Sequence, residues 1–574
     1  MYQGARNVYG RYADVNSKGV ECVYDLTEKP LMFLDMGLIY PGMIIWCDIE
    51  GTAHPLHATP EYYGDTRLKK EEVVGKNYRV PEGLVFEAQP AERGPATPRG
   101  RGTLLYEDGI YRLWQNERLG IEFEELRVGD DSKGFDLQTI DAALYYFESD
   151  DGVTWRAPEF DFFMDNDNKT NIVYGSMLTP EKVIGFGGMS VYKDPSAPPK
   201  ERYKGLYASR LPISTLAEHC KKRKIKFDPM SIMVKISRLF PDQFDNERLY
   251  YDVVVKGLLP KDLSSLPECE SNAFFGAVSP DGLQWNGIEE PVMPFMAEGG
   301  KPFFDVEKEK SVCYVRYWQN AQRRGIGITE TEDFRLWPQP RPLLCPDFNE
   351  ELGTDYYTNV HTLYPGTTDV HLFFVSKFHH GTNDCLDLYL AVSLDGDLIN
   401  FVPGGPVISC ETEEWDPDQA EPAACVFPGY GMTPFGQDHV GIIVTEHNIP
   451  HKWPRTVQQT SNMHWALWEK ERIVALRARE RGAFTSSGLV LTKPIIYINC
   501  KTESAGEIRV QLMDDSYKPV PGCSLSECDP INGNHRKTPL TWGGKSVPTD
   551  YVGRKIYLRF EMSRARLFSI CAGN

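Results

Sequence analysis

Residues 102–114 read GTLLYEDGIYRLW: an apolar run of β type, an acidic turn closed by glycine, and a second run rich in Tyr, Leu and Trp. That is how a β-hairpin looks in sequence, because Asp-Gly supplies the tight turn and alternating apolar residues supply the buried face. The same cadence returns at Phe186 (FGGMSVYKDPSAPPKERYKGLY), Lys301 (KPFFDVEKEKSVCYVRYW), Val360 (VHTLYPGTTDVHLFFVS) and Ala424 (ACVFPGYGMTPFGQDHVGIIVTEH). After each hairpin comes a further strand, and four of the five then carry a turn that ends in an aromatic residue. These turns are Ser149–Trp155 (SDDGVTW), Ser279–Trp285 (SPDGLQW), Thr331–Trp337 (TEDFRLW) and Ser393–Phe401 (SLDGDLINF); the fifth copy is degenerate at Met463–Arg477. A four-stranded sheet cannot bury both of its faces alone, whereas sheets packed radially cover one another. Five such repeats predict an all-β chain built on a five-bladed β-propeller.

The aspartates of these turns have a structural task. Asp accepts hydrogen bonds from the turn's own backbone, Gly tolerates positive φ, and Trp drops its apolar surface between blades. Asp108, Asp151, Asp194, Asp281, Asp305 and Asp395 are therefore set aside as turn chemistry.

Around the repeats the chain divides into an N-terminal segment, residues 1–100, expected to pack on the propeller; the propeller, 101–484; and a C-terminal β-sandwich, 485–574. The segment Gln89–Gly102, dense in Pro, Gly and Arg, reads as an extended loop leading into the first inner strand. Residues 209–271 are an insertion whose stretches 213–224 and 229–240 have the apolar spacing of short amphipathic helices. On a propeller rim, such an insertion is either a lid or a homo-oligomer contact.

Composition narrows the partners. The formal charge is -19, so the long-range field repels phosphate backbones and a nucleic-acid partner is not expected. No apolar stretch approaches membrane-spanning length, and residues 1–30 lack the apolar core of a signal peptide, so a cytoplasmic protein without a membrane partner is expected. The thirteen Cys are scattered without metal-type spacing and read as reduced thiols. With no P-loop, dinucleotide fingerprint or H-E-x-x-H, neither cofactor nor metal is expected; His379-His380 alone is too little for a metal site.

In a propeller, the start of each inner strand and the end of the next strand converge on the axis, where ligands bind. Those positions hold the candidate catalytic carboxylates Glu298, Asp355, Glu421 and Glu446. They also hold candidate substrate-binding residues: Arg101, Arg316, Trp318, Tyr357, His361, Lys377, His379 and His447. Paired carboxylates are what glycoside cleavage needs, one protonated as general acid and one ionised as nucleophile or base. Cations and imidazoles can hold the ionised partner and bond hydroxyls, and aromatics can stack on sugar rings. For Glu446 the expectation is a raised pKa through burial, unless a cation such as Lys377 or Arg316 lies close enough to keep it ionised.

Several stretches, among them PLMFLDMGLI from Pro30, LLYEDGIYRLW, KDPSAPPKERYK, SPDGLQW, YYTNVHTLYP, VTEH and GRKIYLRFEMSRARLFS, make the chain similar to five-bladed propeller glycoside hydrolases. It resembles the β-fructofuranosidase and arabinanase group, and more closely uncharacterised bacterial members beside it. The W-M-N-D-P-N-G, R-D-P and E-C-P signatures of β-fructofuranosidases are absent, and Glu298 stands in Ala297-Glu298-Gly299-Gly300 where the related proteins carry an Asp. The resemblance implies a glycosidase acting on a small oligosaccharide or glycoside, a furanoside among the options. The alternatives are a non-catalytic propeller binding carbohydrate or protein, and a phosphorylase or lyase on the same scaffold.

Overall fold

The computed structural model describes residues 11–16, 19–39, 45–47, 53–55, 81–98, 102–119, 141–165, 167–175, 186, 188–225, 270–294, 300–319, 323–347, 349–410, 424–451 and 460–574. Strands dominate, and Ile213–Arg223 is the one α-helix among these residues. The chain forms two compact units: Met1–Pro90 with Asn400–Gly405 and Trp468–Asn574, and Ala91–Ile399 with Pro406–Leu467.

The second unit holds the repeats as successive antiparallel arrays. The first joins Thr103–Glu107, Ile110–Leu119, Asp141–Ser149 and the outer strand Ile172–Gly175. The second joins Met189–Lys193, Tyr203–Pro212, Glu270–Ser279 and Met293–Pro294. The third is Lys301–Asp305, Lys310–Gln319, Arg323–Thr331 and Arg341–Leu344. Thr354–Leu363, His371–His379 and Leu386–Ser393 make the fourth, and Cys425–Pro428, His439–His447 and Ser461–Glu469 the fifth, the two joined into one continuous sheet by a parallel pair, Leu386 with Cys425.

The fifth array takes its outermost strand from the other end of the unit. Glu92–Ala96 pairs antiparallel with Ser461–Glu469, matching His464 with Ala96 and Ala466 with Arg93. Part of the stretch read as a loop is thus a strand. Pro95 is tolerated because an edge strand needs only one of its two rows of backbone donors.

Neighbouring arrays interlock, and the contacts return to the start. Asn116 of the first array exchanges two hydrogen bonds with the Met189 backbone of the second. Ser190 donates to the Gly300 carbonyl at the start of the third. Tyr314 donates to the Gly396 carbonyl of the fourth, and Ser376 to the Val426 carbonyl of the fifth. The fifth returns to the first through Trp465 Nε1, 2.7 Å from the Gly152 carbonyl, and through Leu104 N on Tyr430 O.

The repeated turns perform the task expected of them. In Ser149–Trp155, Asp151 Oδ1 accepts from Val153 N and Thr154 N, Ser149 Oγ accepts from Gly152 N, and Gly152 sits at φ 75°. Ser279–Trp285 and Ser393–Phe401 repeat the pattern. The turn carbonyl accepts the indole of its own turn and that of a neighbour: Gly282 O takes Trp285 Nε1 at 2.9 Å and Trp114 Nε1 at 2.7 Å.

The first helix expected in the insertion is present. Leu216, Ala217 and Cys220 lie on one face and are fully buried against Tyr207 and Phe275. Lys221, Lys222 and Arg223 stand in the last turn, where cations suit the helix dipole, and Lys224 ends it in the left-handed region. The second expected helix, 229–240, lies outside the described residues.

In the first unit, Gly19–Leu26 pairs parallel with Gly488–Leu491, and Glu82–Ala88 pairs with Val474–Thr485. Ile495–Met513 runs beside Lys555–Gly573 along almost its whole length. Phe33, Phe484 and Phe560 meet in the core, the last two stacked at 4.7 Å. Of the segment 1–100, expected to pack on the propeller, Met1–Pro90 groups with Trp468–Asn574 in this unit, and the chain from Ala91 onward belongs to the other.

Candidate active site

In the fourth and fifth arrays, the inner strand begins where the next strand ends. Thr354 pairs with His379 and Asp355 with Phe378; Cys425 pairs with His447 and Val426 with Glu446. This edge, together with the end of Lys310–Gln319 and the start of Arg323–Thr331, collects the polar side chains.

Glu446 lies on a strand whose residues from Val440 to Glu446 are all buried. Its side chain is only 2 % exposed, yet Arg93 Nη2, on a half-exposed side chain, donates to Oε2 at 2.7 Å. His464 Nε2 stands 3.3 Å from the same oxygen. Because His464 Nδ1 is 2.8 Å from the Trp465 carbonyl, which can only accept, Nδ1 carries a proton and the ring's orientation is fixed. Oε1 is shut off from water and has no hydrogen-bond partner among the described residues. Burial pushes this carboxyl up, but His464 and Arg93 outweigh it and hold Glu446 below the usual glutamate range. The partners are thus Arg93 and His464, not Lys377 or Arg316 as expected from sequence, and they keep the group ionised rather than ready to donate a proton.

Asp355 is also buried, 1 % exposed, and fully engaged. Arg324 Nη1 donates to Oδ2 at 2.7 Å and the Arg324 backbone N–H to Oδ1 at 3.2 Å; His380 Nε2 is 3.6 Å away. Arg323 donates to the Thr354 carbonyl. The guanidinium of Arg324 lies 4.8 Å from the Trp318 ring and 5.0 Å from that of Tyr357, and Arg316 lies 4.8 Å from Tyr357. Such stacking orients a guanidinium while leaving its edge for oxygen ligands.

Tyr357 links this group to the fifth array. It meets His451 at 4.6 Å and Phe427 at 6.4 Å, and Phe427 meets His447, the neighbour of Glu446, at 5.3 Å. Lys377 is bound to Glu350 at 2.6 Å and lies over Tyr389. His379 pairs with Asp387 at 3.0 Å; burial raises that carboxyl, but His379 and Cys410 bring it below the ordinary aspartate range. His447 Nδ1 is 2.8 Å from Ser461 Oγ.

Of the sequence-based candidates, Asp355, Glu446, Arg316, Trp318, Tyr357, Lys377, His379 and His447 share this edge. His361 does not: it stands six residues along the strand from Asp355, about 20 Å at ordinary strand rise. There it is fully buried between Phe303 and Tyr314, with Nε2 3.0 Å from His371 Nδ1. Burial and the neighbouring His371 keep it neutral, well below the usual histidine range, so it acts in packing. Glu298, Glu421 and Arg101 lie outside the described residues.

Five participants escaped the sequence reading: Arg93, Arg323, Arg324, Glu350 and His464. Arg323 and Arg324 follow the second strand of their array and obey the same rule that selected Trp318. Glu350 precedes an inner strand. Arg93 had no such signal, since its strand is completed by residues more than three hundred positions away.

No family model and no curated protein matches the chain. Solved glycoside hydrolase structures are similar to it. A thermostable family-43 glycoside hydrolase is 11 % identical, covering 66 % of this chain and 96 % of its own, with a TM-score of 0.33. An endo-arabinase from Bacteroides thetaiotaomicron is 11 % identical over 67 % of this chain and 97 % of its own, TM-score 0.33. A GH32 β-fructofuranosidase from Bombyx mori is 8 % identical over 84 % and 94 %, TM-score 0.34.

Proposed function

We propose that the protein is a glycoside hydrolase acting on a small oligosaccharide or glycoside, with its site on the axis of a five-bladed propeller and a β-sandwich as its C-terminal part. The observation that carries the reading is Glu446: a buried carboxylate with one oxygen bound by Arg93 and facing His464 Nε2 at 3.3 Å, and the other unengaged among the described residues. A carboxylate held ionised in this way suits the nucleophile or the base that activates water, not the general acid. Asp355, with both oxygens bound, serves to fix Arg324 rather than to transfer protons. The general acid must then come from another carboxyl, and Glu298 and Glu421 are the candidates from sequence. Trp318 and Tyr357, partly exposed, offer faces for a sugar ring.

The test is a panel of chromogenic glycosides and oligosaccharides with product analysis, followed by Glu446→Gln on whichever substrate is turned over. The variant nearly preserves shape while removing the charge. It is expected to melt at the wild-type temperature and to lose about two orders of magnitude or more in turnover. Unchanged turnover in a folded variant would remove Glu446 from the mechanism.

A carbohydrate-binding protein without catalysis is the second reading. It is favoured by one observation, that both described candidate carboxylates are ion-paired. Binding of an oligosaccharide with no product after prolonged incubation would select it.

A further inference from the structure

We propose that the sugar held at this site is acidic, carrying an anionic oxygen group, a carboxylate or a sulfate ester, that is received by Arg316, Arg323 and Arg324. The proposal rests on the carbohydrate reading above and specifies its substrate class.

Arg316 and Arg324 lie on paired strands of one hairpin: Arg316 opposes Ile326, Trp318 opposes Arg324, and Gln319 opposes Arg323. Two of the guanidinium groups stack on the same Tyr357 ring, and Arg324 also on Trp318. The described carboxylate that meets Arg323 and Arg324 is Asp355, with Arg324 Nη1 at 2.7 Å and Arg323 Nε at 4.0 Å. The guanidinium groups of Arg323 and Arg324 therefore share this one described carboxylate. Lys377 and His379 do not alter this balance, because they bring Glu350 and Asp387 with them.

A second observation is independent of charge counting. The Nε atoms of Arg323 and Arg324 are both buried without an acceptor among the described residues. A buried donor left unsatisfied costs about 1–3 kcal/mol, more when it belongs to a charged group, so native structures seldom keep one without reason. An oxyanion delivered by a ligand supplies acceptors to such a cluster, and planar guanidinium forks match carboxylate and sulfate oxygens better than single hydroxyls do. On a chain with a net charge of -19, an acidic sugar is repelled at long range, and a local cationic edge is what draws it in.

The experiment compares matched glycosides on the full chain: 4-nitrophenyl glucosides and galactosides against the corresponding uronides and 6-sulfated galactosides. Binding of neutral and acidic oligosaccharides is followed by calorimetry at two salt concentrations. The expected result is a preference of about tenfold or more for acidic members, weakening with salt; whether uronide or sulfate is preferred identifies the source of the anion. Arg323→Gln and Arg316→Gln should each lower the affinity for the acidic ligand several-fold and by more than they lower affinity for neutral ligands, with melting temperature as the control for folding. Turnover of neutral glycosides with no preference for acidic ones overturns this proposal and leaves the hydrolase reading standing. Tight, salt-sensitive binding of acidic sugars without cleavage supports it and removes the hydrolase reading. Turnover of neutral substrates that requires inorganic phosphate overturns it, assigning the cationic edge to a phosphate co-substrate. Binding of no sugar at millimolar concentration overturns both.

Discussion

Glu446 shows how one side chain acquires a role through neighbours that are remote in sequence. Its strand buries it, which alone would favour the protonated acid; Arg93 and His464 reverse the sign. Removing the cation should therefore undo the reversal. In Arg93→Met, the Glu446 carboxyl is expected to titrate higher, so the acidic limb of the kcat/KM profile moves up in pH. Arg93→Lys should restore part of the shift. A profile unchanged in a folded Arg93→Met protein would show that His464 alone keeps the carboxylate ionised. That Glu446 stands at a strand end is readable from VTEH closing an apolar run. Its protonation state is not, because Arg93 and His464 are placed by strand pairing.

Among elements, the contact between the third and fourth arrays has its own pH dependence. His361 and His371 stand within hydrogen-bonding distance of one another, packed against Phe303 of the third array. Burial pushes His371 down to about 4, and His361 is lowered in the same direction. In the unfolded chain both titrate near 6.5, so between pH 6.5 and 4 the unfolded state binds protons that the folded state refuses. Stability from these groups is complete above about pH 6.5 and declines as pH falls toward 4. His371 alone contributes up to about 3 kcal/mol over that range. Melting temperatures measured from pH 7.5 to 4.5 should drop, and His371→Asn should flatten the decline. An identical slope in that variant would place the sensitivity elsewhere. The sequence marks both histidines as members of a hairpin, yet it ranks His361 with the site. Alternation along a strand tells which face a residue takes; which end of the strand meets the ligand is decided by the array packed beside it.

For the whole repeat-bearing unit, the closing step is the pairing of Glu92–Ala96 with Ser461–Glu469. Gly94 lies so close to its partner strand that a Cβ there would stand 2.7 Å from Leu467 Cδ1 and 2.9 Å from Trp465 Cβ. Gly94→Val is thus expected to loosen the pairing at a cost of about 1–3 kcal/mol, seen as a lower urea midpoint. Arg93 is the adjacent residue, so the same variant should lower activity more than its stability loss predicts. A variant as stable and as active as wild type would show that this strand does not hold the fifth array.

Local sequence was enough to specify the hairpins, the Ser-x-Asp-Gly turns and the first helix of the insertion, because each depends on residues within a few positions: a turn needs its Asp and Gly, and a helix face its apolar spacing. It also marked the strand ends at which Asp355, Tyr357 and Glu446 stand. Tertiary structure was needed to establish that a strand near residue 94 completes the last array, that residues before Pro90 join the C-terminal sheets, and that Asp355 and Glu446 are both held by arginines. These outcomes depend on backbone pairing and on charges meeting across long loops. Pairing partners carry no local signature, since an edge strand rich in Pro, Gly and Arg looks like a loop until another strand lies beside it.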